Sequence, residues 1–372
     1  MVLDDVQVAL LKQYKLCKHC LERLTGTGKF SEPCYICCGL MDNLADIANS
    51  MVAAVRGYEF ETFLIGATLS AQLYEREDAV RARLKIRGRE SIKNHLTREI
   101  GMQFALLAGK KVEYIKPDIR ISLTIDKENN IGVEVISRPL VLAGVYIKKS
   151  RGLPQKQEKC TSCAGSGCNL CSYSGLSGYD DSVEGVIAKK LVRITRGRGP
   201  KFTWIGSEDQ RSLVLGRGRP FYVRVFNPKK RKVKNKIIKG NSIIAMLHVI
   251  NEQPRIQPRF TVETRIHIKC ERALTKKDLK KLNSISGSMV RFENKSKMAV
   301  KRIYSTRVRW IDSNQFMLTI VADGGLMIKQ FVGGEEYMKP NISEILGDKC
   351  ECVTFDILDV KVQQGFSFGE AI

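Results

Sequence analysis

The sequence contains few histidines, no long apolar run and fewer acidic than basic residues. Only 4 of its 372 residues are histidine. A catalytic zinc site usually keeps histidine or carboxylate ligands beside an open position, so this scarcity argues against one. No apolar stretch approaches the roughly 18 residues of a membrane-spanning helix. The opening residues, MVLDDVQVALLK, include two aspartates and lack the basic region of a secretory signal. We therefore expect a cytoplasmic protein.

Other absences argue against whole classes of protein. The sequence shows no internal repeat and no low-complexity tract, and apolar residues make up 43% of it. This fraction is sufficient for folded cores, and the length suggests two or three domains. No glycine-rich nucleotide-binding loop follows a predicted strand. Methyltransferases and thiolation enzymes that act on RNA need such a loop, so both classes are disfavoured.

Basic residues dominate the charge of the chain. Lysine and arginine total 62 against 39 aspartate and glutamate, a formal net charge of +23. Such a charge repels itself in a compact fold unless a polyanion lies beside it. Basic runs occur at residues 227–240 and 274–281. Nucleic acid is the favoured partner, because its phosphates release counterions when lysine and arginine approach. An anionic membrane surface is the alternative.

Twelve cysteines in a cytoplasmic protein indicate metal binding rather than disulfides, since thiols stay reduced there. Eight of them form two clusters, each with two C-x-x-C pairs that can close a tetrahedral zinc site. The first cluster is Cys17, Cys20, Cys34 and Cys37, and the second is Cys160, Cys163, Cys168 and Cys171. In the first, His19 could replace a thiolate, and Cys38 is left over. We predict structural zinc in both clusters and interpret Cys270, Cys350 and Cys352 as ordinary thiols.

Hydrophobic spacing indicates a mixed α/β unit followed by a strand-rich domain. Helical spacing occurs over residues 41–57 and again from Ile92, where apolar residues recur every four positions before Gly109. Strand patterns occupy residues 58–72 and then three segments, DIRISLTID, IGVEVIS and LVLAGVYI. From about residue 181, alternating segments such as PFYVRVFN, FTVETRIHIK and QFMLTIVADG predict half-exposed antiparallel strands.

An ordered series of short blocks runs through the chain. It begins with LCKHCL and CYIC, continues through PLVLAGVYIKKSRGLPQ, CTSCAGSGCNLC and SGYDDSVEGVI, and ends with GSED, LGRGRPF, GGLMIKQF and CVTFDILDVKV. In this order the blocks resemble the archaeal and eukaryotic tRNA pseudouridine 54/55 synthases over nearly the full length. The resemblance implies an α+β fold in four parts. These are an N-terminal zinc-binding segment (1–45), a THUMP-like RNA-binding domain (46–150), a second zinc knuckle (151–180) and a synthase domain with a central antiparallel sheet (181–372).

The resemblance also implies a reaction and the residues that carry it. Such enzymes detach uracil from its ribose and re-attach it through carbon, without an organic cofactor. Their partner is tRNA rather than DNA or a membrane. Asp209, the last residue of GSED, would be the nucleophile or base that acts on uridine 54, uridine 55 or both. Arg217 and Arg219 would lower its pKa, and Lys329 would pair with it or with a phosphate.

The residues expected around the target base depart in part from the family pattern. Ile357 or Leu358 matches the apolar strand that packs under that base. Glu271, however, stands where the family usually has a stacking tyrosine. Tyr304 could substitute for that tyrosine. The departure leaves open an alternative function, a catalytically inactive tRNA-binding relative that keeps the THUMP domain.

The GSED block itself also differs from the usual version. Ser207 replaces an arginine, and Arg211 replaces a second aspartate. From the residues alone, Asp209 could cap a turn and Lys329 could be a surface lysine on a strand. The resemblance favours the catalytic interpretation of both.

Overall fold

The structure is a computed structural model of the chain, and it describes residues 13–26, 29–177, 181–233, 236–294, 297–334 and 337–363. The opening twelve residues, on which the secretory-signal argument rests, lie outside this range, as do parts of the SGYDDSVEGVI block and of the basic run 227–240. Two compact units divide the chain. The first consists of Met1–Arg138 with Asn227–Arg231, and the second of Pro139–Phe226 with Lys232–Ile372.

The first unit combines a four-stranded sheet with helices. Its strands are β1 (Thr62–Leu69), β2 (Lys111–Val112), β3 (Ile119–Ile125) and β4 (Ile131–Ser137). Its described helices are α1 (Lys18–Thr25), α2 (Leu44–Ala54), α3 (Ala71–Arg83) and α4 (Ile92–Ala108), with a 3-10 turn at Leu40–Asp42. The strand order is β2-β1-β3-β4, with β1 parallel to β2 and β3 and antiparallel pairing between β3 and β4.

Helix α4 follows directly from the spacing of its apolar residues. Apolar side chains recur every four positions from Ile92 to Phe104 and are completely buried. At the start of the helix, the Ser91 hydroxyl accepts a hydrogen bond from the Asn94 amide. Gly109 ends the helix with a φ of +63°, a conformation that glycine adopts without strain. The helices predicted over 41–57 and from residue 92, and the strand within 58–72, are confirmed.

The second unit is built around a large sheet. Its described strands are β5 (Leu140–Lys148), β6 (Arg198–Trp204), β7 (Val214–Phe226), β8 (Lys236–Gly240), β9 (Ile243–Ile250), β10 (Phe260–Cys270), β11 (Met289–Asn294), β12 (Lys297–Trp310), β13 (Gln315–Asp323) and β14 (Cys350–Val362). Its described helices are α5 (Val183–Thr195), α6 (Lys276–Lys281), α7 (Ile328–Gly333) and α8 (Ile342–Leu346), with 3-10 turns at Asn169–Cys171 and Leu282–Ile285. Across the described residues, no helix combines the length and apolar character that crossing a bilayer requires.

The large sheet has the strand order β11-β12-β13-β10-β14-β7-β5-β9-β8, with β6 beside β7. Its pairs are antiparallel except β14 with β7. This arrangement confirms the predicted α+β class with a central, mainly antiparallel sheet. One strand differs from the expectation. Strand β5 was predicted to be the last strand of the THUMP-like domain (46–150), but it pairs with β7 and β9 of the large sheet. The reason is burial, since its alternating residues Leu140 and Leu142 lie in the core of the second unit.

Candidate active site

Asp209 and Lys329 meet in the second unit. Asp209 lies in the loop between β6 and β7, and Lys329 is the second residue of α7. Lys329 Nζ donates a hydrogen bond to Asp209 Oδ2 at 2.6 Å. The other carboxylate oxygen, Oδ1, accepts one from the Arg211 amide at 2.8 Å. Asp209 therefore does close a turn, as one interpretation expected, but a cation from a distant element holds its second oxygen.

The surroundings keep Asp209 ionised. Partial burial opposes ionisation, but the hydrogen bonds from Lys329 and from the Arg211 amide outweigh it and lower the pKa of Asp209 below its usual value of 3.8. The Asp209 side chain is 24% exposed and that of Lys329 is 62% exposed. A ligand can therefore reach the carboxylate and displace the lysine.

A cleft of about 450 Å³ contains this ion pair. The volume lies within the range of small-ligand sites, about 300–1,000 Å³. Phe260, Phe355 and Ile357 contribute apolar and aromatic surface to the lining. A smaller cavity of about 250 Å³ shares the ion pair and extends along β14. The carboxylate thus lies beside flat, apolar surfaces suited to a nucleobase.

Phe260 packs against two glycines at the cleft. A Cβ atom at Gly324 would lie 2.2 Å from the ring, and one at Gly206 would lie 3.0 Å from it. Gly206 also has a φ of +80°, in the left-handed region that favours glycine. Gly206 belongs to the loop of Asp209, and Gly324 to the segment that leads to Lys329. One aromatic ring therefore contacts both segments that supply the ion pair.

Glu208 is the buried member of the acidic pair, and its side chain is fully enclosed. Its carboxylate pairs with Arg219 Nε at 2.9 Å and lies 3.6 Å from Lys148 Nζ. It also accepts hydrogen bonds from the Tyr146 hydroxyl at 2.5 Å and the Gln155 side-chain amide at 3.3 Å. Burial, together with the nearby carboxylate, raises the pKa of Tyr146, so its phenol remains a donor. One acid of GSED is enclosed and anchors the loop, whereas the side chain of the other is partly exposed.

The two arginines predicted to act on Asp209 have other partners. Arg217 forms a bidentate pair with Asp359 on β14, at 2.7 and 3.1 Å. Arg219 is buried and pairs with Glu208. The lowered pKa of Asp209 instead comes from Lys329 and Arg211, as described above. The two arginines reach other partners because the backbone around them is irregular. Gly216 and Gly218 have φ values of +57° and +82° and interrupt the regular alternation of β7.

The residues predicted around the target base do not all line the cleft in the structure. Ile357 lines the cleft, whereas its neighbour Leu358 is absent from the described lining. Tyr304 is also absent from it, and its hydroxyl donates to an aspartate of β13 at 2.9 Å. Glu271, at the family's tyrosine position, is exposed and pairs with Lys349 at 3.3 Å. The cleft therefore draws its aromatic surface from phenylalanines that the block pattern did not single out.

A segment before the second cysteine cluster braces the Asp209 loop. Arg151 donates to both oxygens of Asp356, at 2.7 and 3.0 Å. Asp356 also accepts the amide of Leu213 at 3.0 Å. The block KKSRGLPQ (148–155) is thus linked through Asp356 to Leu213, at the end of the Asp209 loop. Sequence reasoning missed this role, although basic residues that directly follow an apolar alternating strand were a visible signal.

Each predicted cysteine cluster is brought together by the fold. In both, the four sulfurs lie within 4.8 Å of one another. The Sγ atoms of Cys17 and Cys37 are 3.6 Å apart, and those of Cys163 and Cys171 are 3.8 Å apart. A tetrahedral zinc ion with bonds of about 2.3 Å places neighbouring sulfurs about 3.8 Å apart. His19 is not part of the first group. Both clusters could therefore bind a metal ion through four thiolates.

Two cysteines interpreted as unrelated thiols also meet. Cys270 and Cys350 lie opposite each other on β10 and β14, with sulfurs 2.7 Å apart. Asp348 completes a third group of possible ligands. The sulfur separation is about 1 Å shorter than that of two thiolates on one tetrahedral metal ion, so this group does not fit one. Spacing along the chain could not reveal the pair, because 80 residues separate its members.

Comparison with known proteins supplies the family. Residues 141–361 match the family described as "Pus10, C-terminal", and residues 47–124 match "Pus10 THUMP domain, archaeal". The tRNA pseudouridine synthase Pus10 of Nitrosopumilus maritimus is 34% identical, over 95% of this chain and 97% of the relative. The protein of that name from Cenarchaeum symbiosum is 32% identical, over 95% and 91%. A crystal structure of a Cbf5-Nop10-Gar1 complex is similar with a TM-score of 0.31, at 11% identity over 47% of this chain and 44% of that one.

The family and sequence matches extend across both the THUMP region and the second unit, which contains Asp209 and Lys329. They define the class of the protein as the pseudouridine synthases, which are isomerases. The particular family is Pus10, and the chain belongs to it. The family expected from the ordered blocks, including its THUMP domain, is confirmed.

Proposed function

We propose that the protein is an active tRNA pseudouridine synthase that isomerises uridine 54, uridine 55 or both in the T-arm of tRNA. The observation that carries the proposal is the 2.6 Å pair between Asp209 and Lys329 in a cleft with aromatic and apolar walls. An ionised carboxylate beside such walls is suited to act on an extruded uridine. The similar proteins named above are tRNA pseudouridine synthases, which supports tRNA as the substrate.

Asp209 acts on the target nucleotide as nucleophile or base. In the isomerisation the N1–C1′ bond breaks, a C5–C1′ bond forms, C5 loses a proton and N1 gains one. Atoms balance, so no organic cofactor is consumed. Lys329 neutralises Asp209 in the free enzyme and shifts to a phosphate when RNA enters, since its side chain is largely exposed. Phe260 and Ile357 provide the surfaces against which the extruded base packs.

The cysteine clusters hold structural zinc in this proposal. Four thiolates fill a tetrahedral shell and leave no position for a substrate, so the metal contributes to folding rather than to the reaction. The THUMP-like domain (46–150) and the synthase domain (181–372) both bind tRNA, whose phosphates offset the net charge of +23. We place the protein in the cytoplasm, with its substrate.

Incubation of unmodified tRNA transcripts with the protein, followed by mapping of pseudouridine in the T-loop, tests the proposal. We expect wild-type protein to modify position 54, 55 or both. Asp209→Asn keeps the shape of the side chain and removes its charge, and should lower kcat by about 10⁴-fold or more, the usual effect of losing a nucleophile. Its affinity for tRNA should change by less than about threefold, because phosphate contacts dominate binding. Asp312→Asn, in an exposed turn outside the cleft, is the matched control.

The outcomes separate the proposal from its alternative. Full activity of Asp209→Asn would contradict the role given to Asp209. Tight tRNA binding by a wild-type protein that forms no pseudouridine would favour the catalytically inactive relative. The exposed Glu271 at the family's tyrosine position is the observation behind that alternative.

A further inference from the structure

Lys148, at the end of β5, is completely buried. The alternation of the strand puts it on the same face as Leu142 and Tyr146. Lysine is almost never fully buried without partners. Its Nζ donates hydrogen bonds to the carbonyl oxygens of Leu153 at 2.8 Å and Asp209 at 3.3 Å. The ammonium group therefore holds the backbone of the residue that carries the proposed reaction.

The buried charges around Lys148 do not cancel. Glu208 is the enclosed carboxylate of this group, and it already pairs with Arg219 at 2.9 Å. Two buried cations thus share one buried anion, which leaves one surplus positive charge. Burial lowers the pKa of Lys148, while Glu208 and then Asp209 act in the opposite direction. Asp209 is therefore the second acid that compensates this ammonium group.

We propose that Lys148 is a positioning residue whose surplus buried charge anchors the backbone of Asp209 and stabilises its carboxylate. The inference rests on the proposed function, because it is in the isomerisation that the carboxylate acts. Other groups that face Asp209 are Lys329 from α7, Arg211 from the same loop and Cys352 from β14. Lys329 and Arg211 are exposed, so entering RNA can displace them. Lys148 is enclosed and keeps its place when they move.

The substitution Lys148→Met tests this role, because it removes the charge and keeps most of the side chain. Glu208 retains Arg219, but the buried carbonyl oxygens of Leu153 and Asp209 lose a donor, so the melting temperature should fall by several degrees while the protein stays folded at the assay temperature. At saturating tRNA, kcat should fall about tenfold or more, with KM changed less than about threefold, because the carboxylate is displaced and not the RNA. The acid limb of the kcat profile should move to higher pH, since Asp209 loses a nearby positive charge. Lys149→Met, the same change at the next, exposed position, should leave kcat and the acid limb unchanged.

Each result decides the question. A Lys148→Met protein with the kcat and acid limb of wild type would overturn the proposal. A kcat that falls only in proportion to the folded fraction of the variant would overturn it too, because the charge would then serve folding rather than positioning. If wild-type protein forms no pseudouridine at all, the proposed function fails first and the role of Lys148 falls with it. If wild type is active, the Lys148 variant alone decides the inference.

Discussion

Glu208 and Asp209 are adjacent in the sequence and have opposite environments. The first is enclosed by an arginine, a lysine, a tyrosine and a glutamine, and the second is accessible from the cleft. A buried carboxylate that loses its charge leaves its cations uncompensated, which is costly in a low-dielectric interior. Substitution of Glu208 is therefore expected to impair folding, whereas substitution of Asp209 is expected to impair the proposed reaction.

Loss of the Lys329 charge should raise the pKa of Asp209. Lys329→Met removes the hydrogen bond and the positive charge that lower this pKa. In the proposed reaction the ionised carboxylate is the active form, so activity should be lost as the pH falls through the pKa. The variant should therefore lose activity at a higher pH than wild type, which a profile of kcat/KM against pH will show. Lys349→Met, which only breaks the exposed pair with Glu271, is the control. Identical profiles for Lys329→Met and wild type would contradict this account.

At the scale of elements, β5 connects the core of the second unit to the Asp209 loop. Gly144 lies in the middle of this strand, where a Cβ atom would meet the Phe221 ring at 2.7 Å and the Met246 carbonyl oxygen at 3.0 Å. Gly144→Ala should lower the free energy of unfolding by about 1–3 kcal/mol through overpacking. Gly66→Ala in β1 is the control, because a Cβ atom there meets nothing within 4 Å. Thermal unfolding measures the stability of both variants. Equal stability would contradict the prediction and show that β5 shifts enough to accommodate the added methyl group.

Periodicity predicted the elements whose burial is regular. Helix α4 has an apolar residue every four positions, and strands such as β13 alternate between buried and half-buried residues, so both could be predicted. Helix α3 left a weaker signal, because only Leu73, Glu77 and Val80 are buried on it. Lys329, considered as a residue of a strand, instead lies in the first turn of a short helix. Local pattern cannot show that the preceding segment turns at Gly325, whose φ is +90°.

The candidate site could be predicted only in part, because many of its contacts join segments that are far apart in the sequence. The ordered blocks pointed to Asp209, to Lys329 and to either Ile357 or Leu358, and the fold brings Asp209, Lys329 and Ile357 to one cleft. The partners of Arg217 and Arg219 were not predictable, since they depend on positive φ angles at Gly216 and Gly218, the glycines that precede the two arginines. Contacts between distant segments, such as Lys148 with the Asp209 loop, depend on which strands become neighbours. Spacing along the chain does not encode that choice.

At the scale of the whole molecule, the cysteine clusters are expected to stabilise the regions around them. Metal analysis should return about two zinc ions per chain, one for each group of four thiolates. Cys37→Ser should remove one of them and lower the melting temperature, because metal binding contributes directly to folding. Cys38→Ser, one residue further on at an exposed thiol outside the cluster, should change neither. Two zinc ions in Cys37→Ser would refute the assignment of the first cluster.

The first unit is discontinuous, since Asn227–Arg231 belongs to it. Lys230 pairs with Glu59 at 3.2 Å, and the amide of Arg231 donates to the same carboxylate at 2.8 Å. A ribosome that has translated the chain only as far as Arg138 has not yet made these partners. The nascent chain must therefore grow by about another ninety residues before its leading unit can acquire all its contacts, although domains generally fold in order from the N-terminus. Maturation of the two units is thus coupled in time during synthesis.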